Sequence, residues 1–194
     1  AANQFGPDNL FIHMTGMSDF SWQKVKDAGA GVSLAVPIEM NMRHGLPPVL
    51  KAQSLEIDPS LSVDVECTLT ADMFTQMRTA MALQRGLVNQ LALDVGNPPE
   101  LPDLFTTRDV LRFATMQGAK DLKLDHKIGS LTPGKEADII LLDAEAINVA
   151  PLNVVPGAVV SLMERSNVET VIVAGKVLKW KGRLLGAGSI PASA

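Results

Sequence analysis

Tyrosine is absent from this 194-residue chain, and cysteine occurs once, as Cys67. A lone cysteine cannot close an internal disulfide, so secreted disulfide scaffolds are excluded and the composition fits a reducing, cytoplasmic compartment. Histidine is nearly as scarce, confined to His13, His44 and His126. No Cys/His spacing of the zinc-ribbon kind can be drawn from so few residues. Long apolar runs are missing too: nothing approaches the ~20 residues of a bilayer span, which argues against a membrane protein. The 17 basic residues are outnumbered by 21 acidic ones, for a net charge of −4, and no Lys/Arg-rich run exists. Nucleic acid and anionic membrane surfaces are therefore not expected partners. What is present is ordinary for a globular fold. Hydrophobic residues make up 46% and charged residues 20%, which removes disordered, collagen-like and coiled-coil readings. The length suits one sizeable domain or two small ones. The chain opens Ala1-Ala2-Asn3-Gln4, with no initiator Met, basic n-region or apolar h-region, so no targeting signal is read and a piece of something longer is expected.

The first half alternates short apolar runs with helical patterns, the arrangement of βα units in a parallel sheet. Leu10-Phe11-Ile12 reads as a strand ending at His13. Ser18 then caps a helix with Phe20, Trp22, Val25 and Ala28 on its apolar face, stopped by Gly29 and Gly31. Val32 to Val36 is a second strand closed by Pro37, followed by a polar loop with Asn41, Arg43, His44 and Gly45. Pro47-Pro48 introduce a short helix through Leu55, and Leu61-Ser62-Val63 is a third strand ending at Asp64. A long helix starting at Thr70 or Asp72 carries Met73, Met77, Ala80, Met81, Leu83, Leu87 and Leu91 on one face. An irregular connection through Asn97-Pro98-Pro99 leads to a helix capped by Thr106-Thr107 and ended by Gly118. From Ile128 the period changes. Ala137 to Asp143 reads as a strand buried on both faces, Ala158 to Arg165 as a short helix, and Val168 to Leu185 as a hairpin turning at Ala174-Gly175-Lys176.

Two polar residues each end an apolar run, His13 after the first strand and Asp64 after the third. In a parallel sheet or barrel, the carboxyl ends of the strands form the ligand-binding face. His13 and Asp64 are thus expected to converge on one pocket, where they could hold a metal or move a proton together. By position alone a second reading stands beside it, in which His13 is a hydrogen-bonded core histidine and Asp64 caps the next helix.

The segment Ile128-Gly129-Ser130-Leu131-Thr132-Pro133-Gly134-Lys135-Glu136-Ala137-Asp138-Ile139-Ile140-Leu141-Leu142-Asp143 closely resembles the C-terminal signature of the amidohydrolase superfamily. Val168 to Val177 resembles that family's closing hairpin. Phe11-Ile12-His13-Met14 is similar to the end of its sixth barrel strand, and Ser62-Val63-Asp64-Val65-Glu66 with Asp72-Met73-Phe74 to the end of its eighth strand and the helix after it. The resemblance runs in the family's order along nearly the whole chain and points to the cytosine-deaminase and triazine-hydrolase branch. It implies an α/β fold: the C-terminal portion of a (β/α)8 TIM-like barrel, strands six to eight with their helices, in residues 1–126, followed by strands of a small β domain in residues 127–194. It also implies metal-assisted hydrolysis of carbon–nitrogen bonds, deaminase-like, on a cyclic amidine or heteroaromatic small molecule. Carried over, Asp64 is metal ligand, for zinc or iron, and proton shuttle. His13 is the electrophilic or oxyanion partner, and both are catalytic.

The departures set further expectations. The family's His-x-His pair and its strand-five histidine have no counterpart in the chain, Val63 stands where a threonine usually precedes the aspartate, and Glu66-Cys67-Thr68-Leu69 replaces a small polar loop. His44 is placed at the pocket mouth as a substrate-binding candidate, with a solvated loop histidine as the other reading. Cys67 reads as a packing residue and His126 as surface. One Asp and one His do not complete a zinc site, and three barrel strands leave open edges. The chain alone is therefore expected to be inactive, needing a missing N-terminal half, a partner chain or an oligomer. The alternative is a non-catalytic binding or structural module that keeps the scaffold.

Overall fold

The computed structural model describes residues 4–96 and 100–186. The connection read at Asn97-Pro98-Pro99 lies outside the described residues. Strand β1 (Leu10–Ile12), helix α1 (Asp19–Ala28), strand β2 (Gly31–Leu34), helices α2 (Val36–Asn41) and α3 (Val49–Ser54) and strand β3 (Ser60–Leu61) form the first half. The strands are parallel in the order β1-β2-β3, with Phe11 opposite Val32 and Ser33 opposite Ser60. Each crossover is helical, as parallel neighbours require. All three strands therefore deliver their carboxyl ends to one side.

Helix α1 begins and ends where its caps dictate. Ser18 accepts a hydrogen bond from the Ser21 N–H, and Gly29 closes the C-terminus at φ 64°, a left-handed conformation that costs glycine little. Its apolar face is narrower than expected. Trp22 and Val25 are buried, but Phe20 is 72% exposed. Phe20 instead lines an apolar hollow with Phe5, Phe11, Met14 and Met17 beside β1, on a strand that has no neighbour on that side among the described residues.

Two strand ends differ from the sequence reading. The second strand stops at Leu34 and Val36 already opens α2, because a proline in the first turn of a helix forfeits no hydrogen bond and has its φ pre-set. Pro37 is a helix starter here rather than a strand breaker, and Asn41 closes α2 instead of lying in a loop. The third strand is Ser60–Leu61 and not Leu61 to Val63. Ser62 still donates to Leu34 O at 2.9 Å, so Asp64 hangs just beyond the last ladder bond.

Helix α4 (Met73–Asp94) is capped by Asp72, whose carboxylate accepts from the Thr75 N–H at 2.7 Å and from its hydroxyl at 2.8 Å. Met77 and Ala80 face the core as the periodicity requires, but so do Gln76 and Gln84. Gln84 serves the chain's own backbone: its amide donates to Asp103 O at 2.8 Å and its oxygen accepts from the Phe105 N–H at 3.0 Å. Helix α5 (Thr107–Arg112) starts at a Thr106/Asp109 capping box and does not end at Gly118. It widens into a π turn over Phe113–Gln117 and continues as α6 (Gly118–Asp121), with Gly118 in right-handed helical geometry at φ −58°.

The last third forms an antiparallel sheet, β4 (Ile139–Leu142), β5 (Val168–Val173), β6 (Lys176–Trp180) and β7 (Arg183–Leu184), in sequence order. The hairpin turn is two residues, Ala174 and Gly175, both at positive φ, so Lys176 belongs to the strand. The reading of Ala137 to Asp143 as buried on both faces is wrong. Strand β4 is an edge, and Ile140 and Leu141 are 51% and 46% exposed. The unbroken apolar run reads like a central parallel strand, but β4 is the edge of an antiparallel sheet, and because neighbouring side chains alternate faces, Ile140 and Leu141 leave both faces partly uncovered among the described residues. Helix α7 (Val155–Ser161) begins three residues earlier than expected, again with a proline in its first turn. Arg78 of α4 donates to Val160 O at 3.1 Å and Met163 O at 2.7 Å, tying the region of α7 to the same hydrophobic cluster as Val32, Leu34 and Met77.

Candidate active site

The site grows out of the carboxyl ends of three adjacent strands. His13 follows β1 and keeps the ladder going, its N–H donating to Ser33 O at 2.9 Å. The chain then folds sharply: Met14 N–H donates back to Ile12 O at 2.9 Å, with His13 at φ 69° between them. Beyond β3 the same device recurs. Val65 N–H donates to Val63 O at 3.0 Å around Asp64 at φ 64°. Three-residue turns with a positive φ at the centre are rare and strained, and non-glycine residues kept there cluster at functional sites. Both turns aim a polar side chain at the same place. His13 Nε2 lies 3.8 Å from Asp64 Oδ2, too long for a good hydrogen bond, so the two atoms face a shared gap.

A third residue completes the cluster, and sequence reasoning missed it. Glu39, in α2 just past β2, is fully buried. Its Oε1 accepts from the Ala35 N–H at 2.9 Å and lies 3.0 Å from His13 Nδ1. Among the described residues its Oε2 has no hydrogen-bond partner. Burial pushes the Glu39 carboxyl above its ordinary value, while the Ala35 N–H and His13 pull it back. The available signal was a lone acidic residue among Val36, Pro37, Ile38 and Met40, in a helix that the polar-loop reading did not resolve.

His44 stands edge-on to His13, with ring centroids 6.3 Å apart, and is exposed at the rim. Cys67 is exposed and unpaired, and His126 is exposed. Cys67 is therefore not a packing residue in this structure. Its loop has no core to enter.

The donors at the gap suit a divalent cation in kind, one imidazole nitrogen and one carboxylate oxygen, but not in number. Catalytic zinc takes three protein ligands, and among the described residues no group of three His, Cys, Asp or Glu is arranged so that it could hold a metal ion. The residues present fit part of a metal site and leave the rest to be supplied.

A sequence profile of the amidohydrolase family matches residues 7–178. The chain belongs to the amidohydrolase family. Similar curated proteins include the 5'-deoxyadenosine deaminase of Methanosarcina mazei, 32% identical over 93% of this chain and 39% of its own length. Another is the 5-methylthioadenosine/S-adenosylhomocysteine deaminase of Moorella thermoacetica, 30% identical over 79% of this chain and 34% of its own length. Among solved structures, an adenosine deaminase from Xanthomonas campestris with bound zinc superposes with a TM-score of 0.75 at 26% identity, over 91% of this chain and 38% of that one. The chain thus spans about two fifths of the length of these relatives, at 39% of the first, and its α/β fold corresponds to part of an amidohydrolase barrel protein.

Proposed function

We propose that this chain is the part of a metal-dependent amidohydrolase that carries the aspartate and one histidine of the active site, and that the complete enzyme hydrolyses a carbon–nitrogen bond in a heteroaromatic amine. The single observation that carries this reading is the meeting of His13 and Asp64 across 3.8 Å at the carboxyl ends of β1 and β3, where barrel enzymes place their chemistry. The names of the relatives, adenosine-type deaminases, favour an aminopurine or a similar ring. In this reading β1, β2 and β3 are strands six, seven and eight of the barrel, residues 127–194 contribute to a small β domain, and the enzyme works in a reducing, cytoplasmic compartment.

Asp64 has two tasks that its position allows. Its carboxylate would hold the cation, and the same group is placed to take a proton from the attacking water and pass it to the departing amine. A bound zinc or iron would bring the pKa of water toward ~7 and polarise the substrate. His13, across the gap, hydrogen-bonds the oxygen on which charge develops. His44 at the rim contacts substrate. The remaining cation ligands come from polypeptide corresponding to the rest of the relatives' length, which also covers the free edges of β1 and β3 and the apolar hollow at Phe5 and Phe20. Without it the chain is inactive.

The second reading, a non-catalytic module on the same scaffold, is favoured by one observation, the absence of a three-ligand group among the described residues. Metal analysis and a deaminase assay on the complete protein, with Asp64→Asn alongside, separate the two. The hydrolase reading expects bound divalent metal and a loss of at least about 100-fold in Asp64→Asn, the scale of a general acid–base group. Equal activity of the two proteins sinks it.

A further inference from the structure

We infer that Glu39 is a positioning residue: it holds the His13 ring with Nδ1–H toward itself, so that Nε2 is the nitrogen presented to Asp64 and to whatever occupies the gap. Its meaning for catalysis rests on the hydrolase reading, whereas the placement of the proton does not.

The inference starts from the cost of burying a carboxyl group away from water, which is high unless hydrogen bonds replace the lost solvation. Glu39 is fully buried and receives one backbone donor, the Ala35 N–H at 2.9 Å. The same oxygen has a second lone-pair direction, and His13 Nδ1 fills it at 3.0 Å. In the ionised carboxylate, the form present at alkaline pH, that oxygen can only accept, so it is satisfied by a donor and not by a second acceptor. Nδ1 therefore carries its hydrogen, and in the neutral ring Nε2 does not.

Three features make the arrangement rigid. Glu39 sits on α2 directly after buried Ile38, on a backbone fixed by Pro37 in the first turn. Ala35, the N-cap residue, has no side chain that can cap the helix, and its own N–H is satisfied by Glu39. The backbone of His13 is held by the bond to Ser33 O and the tight turn to Met14. With the backbone set, the remaining freedom is rotation and proton placement of the ring, and Glu39 removes both. A carboxylate behind a functional histidine, bonded to its far ring nitrogen, fixes the tautomer in this way. A role in capping α2 alone would require the Ala35 bond but not the His13 bond.

The test reads the proton directly. The intact protein, labelled with ¹⁵N in histidine, is studied by NMR at alkaline pH, where imidazole is neutral, and the signal lost in His13→Gln assigns His13. Wild type is expected to show Nδ1 protonated and Nε2 bare. Glu39→Gln keeps this pattern, since its amide oxygen must still face Ala35 N–H and retains room for Nδ1–H. Glu39→Met shifts the tautomer ratio toward Nε2–H by about fivefold or more, the change that one lost hydrogen bond brings. A wild-type His13 protonated at Nε2 overturns the inference without any variant, and so does a Glu39→Met protein, folded by circular dichroism, with the wild-type ratio. Asp64→Asn leaves the ratio in place, so lost activity with an intact tautomer bears on Asp64, and a wrong tautomer in an active enzyme bears on Glu39 alone.

Discussion

His13 and Asp64 sit at the centres of two matching turns, each closed by an N–H donating two residues back and each with φ between 60° and 70°, at 69° and 64°. Neither residue pays for that conformation with local regularity. Histidine and aspartate are among the side chains most often found in the left-handed region, and a bulky β-branched residue there is a true outlier. Asp64→Val is therefore expected to lose stability by about 1–3 kcal/mol from backbone strain as well as the carboxylate, whereas Asp64→Asn keeps the turn and loses only the charge. Urea unfolding of the two variants side by side checks this.

The cap of the longest helix offers a cleaner measurement. Asp72 holds both the backbone N–H and the hydroxyl of Thr75. Asp72→Ala should cost about 1–2 kcal/mol and Asp72→Asn much less. Thermal unfolding would show the alanine variant melting several degrees lower.

Gln84 is fully buried and serves Gln53, Asp103 and Phe105 at once. Gln84→Leu keeps the volume but strands the Phe105 N–H, a loss of about 2–3 kcal/mol for unmet buried groups. Gln90→Leu on the exposed face of the same helix removes a bond to Asp94 and should change stability by less than about 0.5 kcal/mol. Equal effects in the two variants would contradict the role assigned to Gln84.

The glycines of the Ile128 signature separate packing from conformation. A Cβ at Gly129 would lie 2.6 Å from the Ala119 Cβ and face φ 88°, while Gly134, at φ 95°, has open space around it. Gly134→Ala should cost about 1 kcal/mol for strain alone, and Gly129→Ala clearly more, since the helix behind it cannot yield. Chemical denaturation of the pair ranks them.

The pH dependence of stability has two limbs of opposite sign. Burial raises Glu39 and Asp121 above their ordinary values of 4.5 and 3.8. The native state then holds protons that the unfolded chain has released, so stability falls as pH rises from those values through the folded ones. Asp72 and Asp109 are opposed by burial, but hydrogen bonds from Thr75 and Thr106 win and hold them below 3.8. Their contribution is present above 3.8 and is lost as pH falls through the folded values. Unfolding free energies measured between about pH 3 and pH 8 should pass through a maximum in the acid range, and Asp121→Asn should flatten the upper limb.

Much of this could be read along the chain because it depends on neighbours in sequence. Ser18 and Gly29 bound α1, Asp72 starts α4, and the apolar periods select helices and strands. The two polar residues that end apolar runs were found for the same reason, since strand direction alone sends His13 and Asp64 to one side of a parallel sheet. Other features belong to the tertiary structure. Pro37 as breaker or starter depends on whether α2 finds a core for Val36 and Ile38, and Gly118 continues a helix only because the π turn packs against β3 and α6 against β2 and β3. The exposure of Ile140 and Leu141 follows from the edge position of β4, which no apolar run announces. Glu39 is the clearest case. Its burial, its bond to Ala35 and its distance to His13, 26 residues earlier in the chain, exist only once two βα units lie side by side, because the meaning of a buried charge is set by the donors that folding brings to it.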